Sequence, residues 1–297
     1  MSDRKLVMVV NPHGGVKQAR QILEQVRPIF DAAGVSLDIH ETEYRDHAEE
    51  LARDLDLSGA YGLCTIGGDG TIHEVINGMM VRPESERLPI GILAAGSGNT
   101  FLDTCDLLDP LKAAEGMAQG RTRPIDLARV ELSDQVRYAC NIVGWGLVTD
   151  IGIRSEQYRW TGTSRYTIAS AIEVLRGRKR KARLVIGGEV IEDDFSFILG
   201  MNTKYTGKGM LMAPDADLTD GLIDLIIVRS APRLKILLML PKVFDGSHIG
   251  SPLVEYRQVS GFELHPDEPE TITIDGELRG TGSIKVTMLQ GGFQLLG

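Results

Sequence analysis

A chain of 297 residues is long enough for two mid-sized hydrophobic cores. Its 42% hydrophobic and 25% charged residues are ordinary for a globular protein, and a net charge of -9 excludes a general nucleic-acid binder, which needs a basic surface. Three cysteines, Cys64, Cys105 and Cys140, are an odd count without metal-like spacing, which excludes a disulfide framework.

The first 123 residues alternate strand and helix patterns. Leu6–Val10 is a continuous apolar run, as in a strand buried on both faces, and is far too short for a signal peptide. No later run approaches the roughly 20 apolar residues of a membrane span, so a cytoplasmic protein is expected. Ala19, Ile22, Leu23, Val26, Ile29, Phe30 and Ala33 repeat at helical spacing, Val35–Ile39 alternates as a strand, and Ala48–Leu55 returns to helix. Gly62–Ile66 and Ile90–Leu93 are two more buried strands, with a helix through Ile72, Val75, Ile76 and Met79 between them. The series predicts an α/β domain over residues 1–123 with a parallel, doubly wound sheet.

From residue 124 to 297 strand patterns dominate: Ile125–Leu132, Val136–Val143, Arg183–Ile186, Phe195–Met201, Leu222–Val228, Phe262–Leu264, Thr271–Ile274 and Ile284–Leu289. Helical patterns appear near Tyr166–Leu175 and Arg233–Phe244. A second, mostly antiparallel β domain is expected, with the ligand site in the cleft between the two.

Three strand ends in the first domain carry glycine-rich turns: Asn11-Pro12-His13-Gly14-Gly15, Gly67-Gly68-Asp69-Gly70-Thr71 and Ala95-Gly96-Ser97-Gly98-Asn99-Thr100. In an open α/β sheet such turns share one edge, and glycines before helix N-termini let backbone N–H groups reach phosphates. None completes the P-loop or dinucleotide-binding pattern. Asp69, held between glycines, is a candidate to deprotonate or position an attacking hydroxyl beside metal-bound phosphates.

These residues resemble the diacylglycerol kinase and sphingosine kinase superfamily, whose catalytic domain shares its architecture with NAD kinases and phosphofructokinases. The stretch Gly67–Gly78 is close to the signature of the sphingosine and ceramide kinase branch, as are Trp145–Gly152 and Ser155–Tyr166. The resemblance implies an ATP- and Mg²⁺-dependent lipid kinase. Asn11, Gly14, Gly15, Thr42, Gly68, Gly70, Thr71, Gly96, Ser97, Gly98 and Asn99 would contact ATP, with Arg159 and Arg165 at its phosphates. Asp69 would be the base. Ile274-Asp275-Gly276-Glu277 is similar to a turn that returns to the nucleotide, which adds Asp275 and Gly276 to the ATP contacts and makes Glu277 a second candidate base.

Asp150 is available for a substrate hydroxyl. Sphingosine kinases carry an amine-binding Asp two residues later, where this chain has Gly152, so ceramide, diacylglycerol or another neutral lipid alcohol is at least as plausible as a sphingoid base. Asp220 and Asp224 are similar to a segment linked to a structural metal, or else form a plain Asp-Gly hairpin turn.

The basic run Arg176–Arg183 either meets anionic headgroups in peripheral membrane contact or is a solvated loop. The apolar run Leu234–Leu240 lines an acyl pocket, dips into the interface, or is a buried core helix. An NAD kinase-like enzyme and a non-catalytic lipid-binding relative are the alternatives.

Overall fold

A computed structural model describes residues 4–14, 18–96, 98–158, 165–207 and 209–297. Contacts divide the chain into residues 1–125 with 291–297, and residues 126–290. The expected boundary at 123/124 lies beside this division, and the last seven residues belong with the first unit.

The first unit runs β1 (Arg4–Val10), α1 (Ala19–Ala32), β2 (Val35–Glu41), α2 (His47–Asp54), β3 (Ala60–Gly67), α3 (Asp69–Val81), β4 (Ile90–Ala94), α4 (Thr100–Thr104) and α5 (Pro110–Gln119). Its strands pair in parallel in the order β2-β1-β3-β4. Leu295 and Leu296, near the end of the chain's last strand, extend the sheet beside Ile90 and Gly91. Leu6, Met8, Val10, Cys64 and Ile66 share a core with Ile22, Val26 and Phe30 of α1 and Met117 of α5. The intervening Val7 and Val9 are equally buried, so both sheet faces are covered, as the unbroken apolar strand implies. Helix α5 begins with the Asp109 carboxylate accepting the Leu111 N–H and ends at Gly120 in the left-handed region.

The second unit begins within β5 (Thr122–Glu131), followed by β6 (Val136–Ala139), β7 (Ile142–Gly146), α6 (Leu147–Gln157), α7 (Arg165–Arg176), β8 (Arg180–Ile186) and β9 (Glu189–Met201). A short hairpin, β10 (Tyr205–Thr206) and β11 (Met210–Leu211), precedes β12 (Ile223–Arg229), α8 (Arg233–Met239), β13 (Val254–Val259), β14 (Gly261–Pro266), β15 (Thr271–Ile274), β16 (Glu277–Thr281) and β17 (Ile284–Leu296). Pairing within this unit is antiparallel, with the long β9 against β7, β8 and β12. One core gathers Trp145, Phe195, Phe262 and Leu264; another gathers Met201, Met212, Val174 and Ile236.

The expected continuous strand Val136–Val143 breaks at Cys140 and Asn141, and an unexpected helix, α6, follows Gly146. Gly146 adopts φ 84, a turn that L side chains rarely make. No helix among the described residues is long and apolar enough to cross a membrane.

Candidate active site

Parallel register brings Val10, Glu41 and Ile66 level, and Ile66 beside Leu93, at the carboxyl edge of the first unit's sheet. One further rung carries the ladder into the turns. The Asn11 N–H donates to the Ile66 carbonyl at 3.0 Å, Thr42 to Val10 at 2.9 Å and Ala95 to Gly67 at 2.9 Å. Strand β1 has β2 on one side and β3 on the other, so the winding reverses there, and ligands of doubly wound sheets bind outside such a reversal. Asn11 ties the first turn to the start of α3. Its Nδ2 donates to Thr71 Oγ1 at 2.8 Å, and its Oδ1 accepts the His13 N–H at 3.0 Å.

Asp69 opens α3, directly after Gly68. Its Oδ1 accepts the Thr100 N–H at 3.1 Å, linking the second glycine turn to the third. A Cβ on Gly98 would lie 2.6 Å from Asp69 Oδ2, and one on Gly96 would lie 2.5 Å from the Gly68 Cα. Only glycine lets these two turns meet backbone to backbone with a carboxylate between them. Asn99, at φ 55, closes the third turn on itself: its Oδ1 accepts the Gly96 N–H and its Nδ2 donates to the Gly96 carbonyl. A cavity of about 350 Å³ adjoins Gly96 and Asn99, bordered by Gln18, Gln21 and Gln25.

The structure therefore brings Asn11, Thr42, Gly68, Asp69, Gly70, Thr71, Gly96, Gly98 and Asn99 to one sheet edge, with Gly14 packed on the Asn11 amide. Gly15, Ser97 and Arg159 lie outside the described residues. Part of the Gly67–Gly78 stretch has a packing role instead. His73 and Asn77 are buried, with Asn77 Nδ2 donating to the His73 carbonyl at 2.9 Å. A Cβ on Gly78 would overlap the Glu49 carbonyl and lie 2.8 Å from Ala52 Cβ, so this glycine sets how closely α2 and α3 approach.

In the second unit, Asp150 on α6 receives Arg180 at 2.5 Å, and Arg178 stands 3.9 Å from its other oxygen. Arg180 also donates to Glu270 at 2.6 Å. Arg180 is buried, which corrects its place in an exposed basic run; Arg176, Arg178, Lys179, Lys181 and Arg183 are exposed. Sequence reasoning missed this clamp, although alternation with Ala182, Leu184 and Ile186 puts Arg180 on the inward face of β8. Open space surrounds Gly152 where a side chain would project. Arg165 opens α7 with Glu156 at 3.7 Å.

Asp275 and Gly276, at φ 52 and 88, form the two-residue turn between Ile274 and Glu277. The buried Asp275 carboxylate accepts the N–H groups of Cys140, Asn141 and Ile142 at 3.1, 2.8 and 3.0 Å. It holds the break between β6 and β7, an architectural task. Glu277 begins β16.

Asp220 and Asp224, the candidate metal ligands, each accept hydrogen bonds from the chain itself. Among the described residues no three acidic, His or Cys side chains converge. The Asp220 carboxylate accepts the Leu222 N–H at 2.8 Å, while Asp224 lies buried under Tyr256 and Gln258. Burial pushes the Asp224 carboxyl above the usual carboxylate range, against the pull of those two hydrogen bonds. All three cysteines are buried, and no disulfide joins them.

Comparison with known proteins agrees with this geometry. Residues 5–130 match the diacylglycerol kinase catalytic domain, and residues 141–297 match the YegS C-terminal NAD kinase beta sandwich-like domain. Sphingosine kinase 1 of Arabidopsis thaliana is 31% identical over 337 residues, spanning 94% of this chain and 69% of the relative. Diacylglycerol kinase of Bacillus subtilis (strain 168) is 27% identical over 277 residues, spanning 92% and 89%. A crystal structure of a diacylglycerol kinase from Bacillus anthracis str. Sterne superposes with a TM-score of 0.78 at 21% identity, covering 100% of this chain and 98% of the other, and so shares the fold. With both domain matches and a relative 31% identical over nearly the whole chain, the chain belongs to the diacylglycerol and sphingosine kinase family of ATP-dependent lipid kinases.

Proposed function

We propose that the enzyme phosphorylates the hydroxyl of a neutral lipid alcohol of the ceramide or diacylglycerol type, with Asp69 as general base. The placement of Asp69 carries the reading: its carboxylate is held at the junction of two glycine turns by the Thr100 N–H. There a substrate hydroxyl gives its proton to Asp69 as its oxygen attacks the γ-phosphorus of ATP, the bond to the bridging oxygen breaks, and ADP departs. The backbone N–H groups at the starts of α3 and α4 and in the third turn hold the phosphates. Gly14, Thr42 and Arg165 are further proposed ATP contacts, and Glu277 is the other candidate base. A Mg²⁺ ion would enter with the phosphates of ATP, which would leave the Asp69 carboxylate to the attacking hydroxyl. When bound, that ion offsets charge on the transferred phosphoryl group.

Charge around Asp150 supports a neutral acceptor. Arg180 stands between Asp150 and Glu270, and Arg178 adds a second cation, so two acids face two bases. Gly152 adds no carboxylate, and no net negative charge is left to receive an amine. Asp150, oriented by Arg180, can accept a hydrogen bond from a lipid hydroxyl. The acceptor would be taken at a membrane surface, in peripheral contact.

The test is phosphate transfer from labelled Mg-ATP to a panel of sphingosine, ceramide, diacylglycerol, monoacylglycerol and NAD. Labelled ceramide or diacylglycerol phosphate is expected. Exclusive labelling of NAD, or ATP and lipid binding without transfer, overturns the reading; preferential labelling of sphingosine overturns the neutral-acceptor part.

A further inference from the structure

Helix α8 carries leucines that its own packing does not use. Ile236 and Met239 are buried, whereas Leu234 and Leu238, four residues apart on another face, are 67% and 65% exposed. Two more large apolar side chains belong to the same region: Leu175 near the end of α7, 58% exposed, and Phe244 after α8, 49% exposed. The two segments adjoin, because α7 packs on α8 and a Cβ on Gly177 would lie 3.0 Å from Arg233 Cδ.

The charge here is opposite to that of the whole chain. Residues 175–183 hold five exposed Arg and Lys beside the buried Arg180, residues 232–244 hold Arg233, Lys235 and Lys242, and neither segment contains an acid, in a protein of net charge -9. Among the described residues, Lys179, Lys181, Arg233, Lys235 and Lys242 have no side-chain ion partner. Screening over about 8–10 Å confines the acidic remainder's repulsion, so an approaching surface meets the local cations first.

We propose that α8 and the end of α7 form a docking face for an anionic lipid surface. Leu234, Leu238, Leu175 and Phe244 enter the interface while Lys235, Lys242 and Lys179 meet headgroup phosphates. A second copy of this chain is a poor occupant, since two such cationic faces repel. A nucleic acid would find no stacking platform, Phe244 being the one aromatic among these exposed side chains. The proposal deepens the lipid-kinase reading by naming how the enzyme reaches its acceptor, and its test needs no turnover.

The full chain is floated without ATP on vesicles of phosphatidylcholine alone or of phosphatidylcholine with phosphatidylglycerol. Binding to the anionic vesicles alone, weakening with salt, is expected. The variants Leu234→Gln/Leu238→Gln and Lys235→Glu/Lys242→Glu should each bind at least tenfold more weakly, given about fivefold per cation removed near an anionic surface. Turnover of a water-soluble short-chain lipid should be unchanged in both. Wild-type protein that ignores both vesicles, binds them equally at any salt, or is matched by the variants overturns the proposal. If the glutamine variant misfolds, Leu238→Trp at an exposed position serves instead: its emission should shift to the blue on anionic vesicles beyond any wild-type change, and no shift also overturns it. Flotation without lipid phosphorylation would sink the kinase reading and leave the docking face; phosphorylation without flotation does the reverse.

Discussion

Replacing Asp69 by asparagine isolates its proposed proton-accepting role. The asparagine Oδ1 can keep the Thr100 N–H bond, now 3.1 Å, so the junction between the second and third turns persists. The negative charge and the proton acceptor are lost. Positioned general bases contribute about 100- to 10,000-fold, or ~3–5 kcal/mol of barrier. Stability should change little. A carboxylate at a helix N-terminus contributes about 0.3–1 kcal/mol, which for a chain of this size is a melting-temperature drop of no more than about 3 °C. Removing a charge beside the triphosphate should leave ATP affinity equal or tighter. Three measurements therefore separate the roles: thermal denaturation, equilibrium binding of a labelled ATP analogue, and radiolabel transfer to lipid. Turnover within about tenfold of wild type, with ATP binding intact, would refute Asp69 as base. Glu277→Gln measured alongside identifies the alternative, since a loss confined to that variant moves the base to β16.

Gly152→Asp has room for its side chain and would restore a carboxylate two residues beyond Asp150; sphingosine should gain as a substrate about tenfold relative to ceramide, from one added ion pair in a partly solvated site, and competition assays that show no gain remove Gly152 from specificity. Gly78→Ala should lose about 1–3 kcal/mol through overpacking of α2 on α3, despite the better helix propensity of alanine; chemical denaturation reads the loss, and an unchanged midpoint would contradict the close approach. Because burial raises the Asp224 carboxyl, its contribution to stability is complete below the ordinary carboxylate range and is lost as pH rises through the folded value. Asp224→Asn should abolish that fall between acidic and neutral pH while keeping an acceptor for Tyr256, as melting curves across the range will show.

Legibility in the sequence followed the strength of local periodicity. The parallel core was readable because Leu6–Val10, Gly62–Ile66 and Ile90–Leu93 are apolar at every residue but Thr65, the pattern of strands in a doubly covered sheet. The three turns were readable through their glycines, and the close backbone approach of Gly96 to Gly68 shows why one of them has to be glycine. Helix α6 was not legible, because its start depends on the positive φ of Gly146 and only Leu147, Thr149 and Ser155 of it are buried. The break between β6 and β7 depends on Asp275, more than a hundred residues away in sequence, and no local pattern reports such a partner. Arg180 was misread because charge density in the run hid the strand alternation beneath it. Helix α5 is absent from the expected elements although Asp109-Pro110 and Gly120 signal both of its ends.

Residues 291–297 complete a unit whose other residues lie at the opposite end of the chain. The Gly297 N–H donates to the Arg121 carbonyl, and a Cβ on Gly116 would collide with the Gly297 backbone. During synthesis the nucleotide-side unit waits, with the outer edge of β4 uncovered, until everything from 126 to 290 has emerged. Unpaired strand edges are sticky, so a chain lacking its last seven residues would keep that edge of β4 exposed as an aggregation hazard.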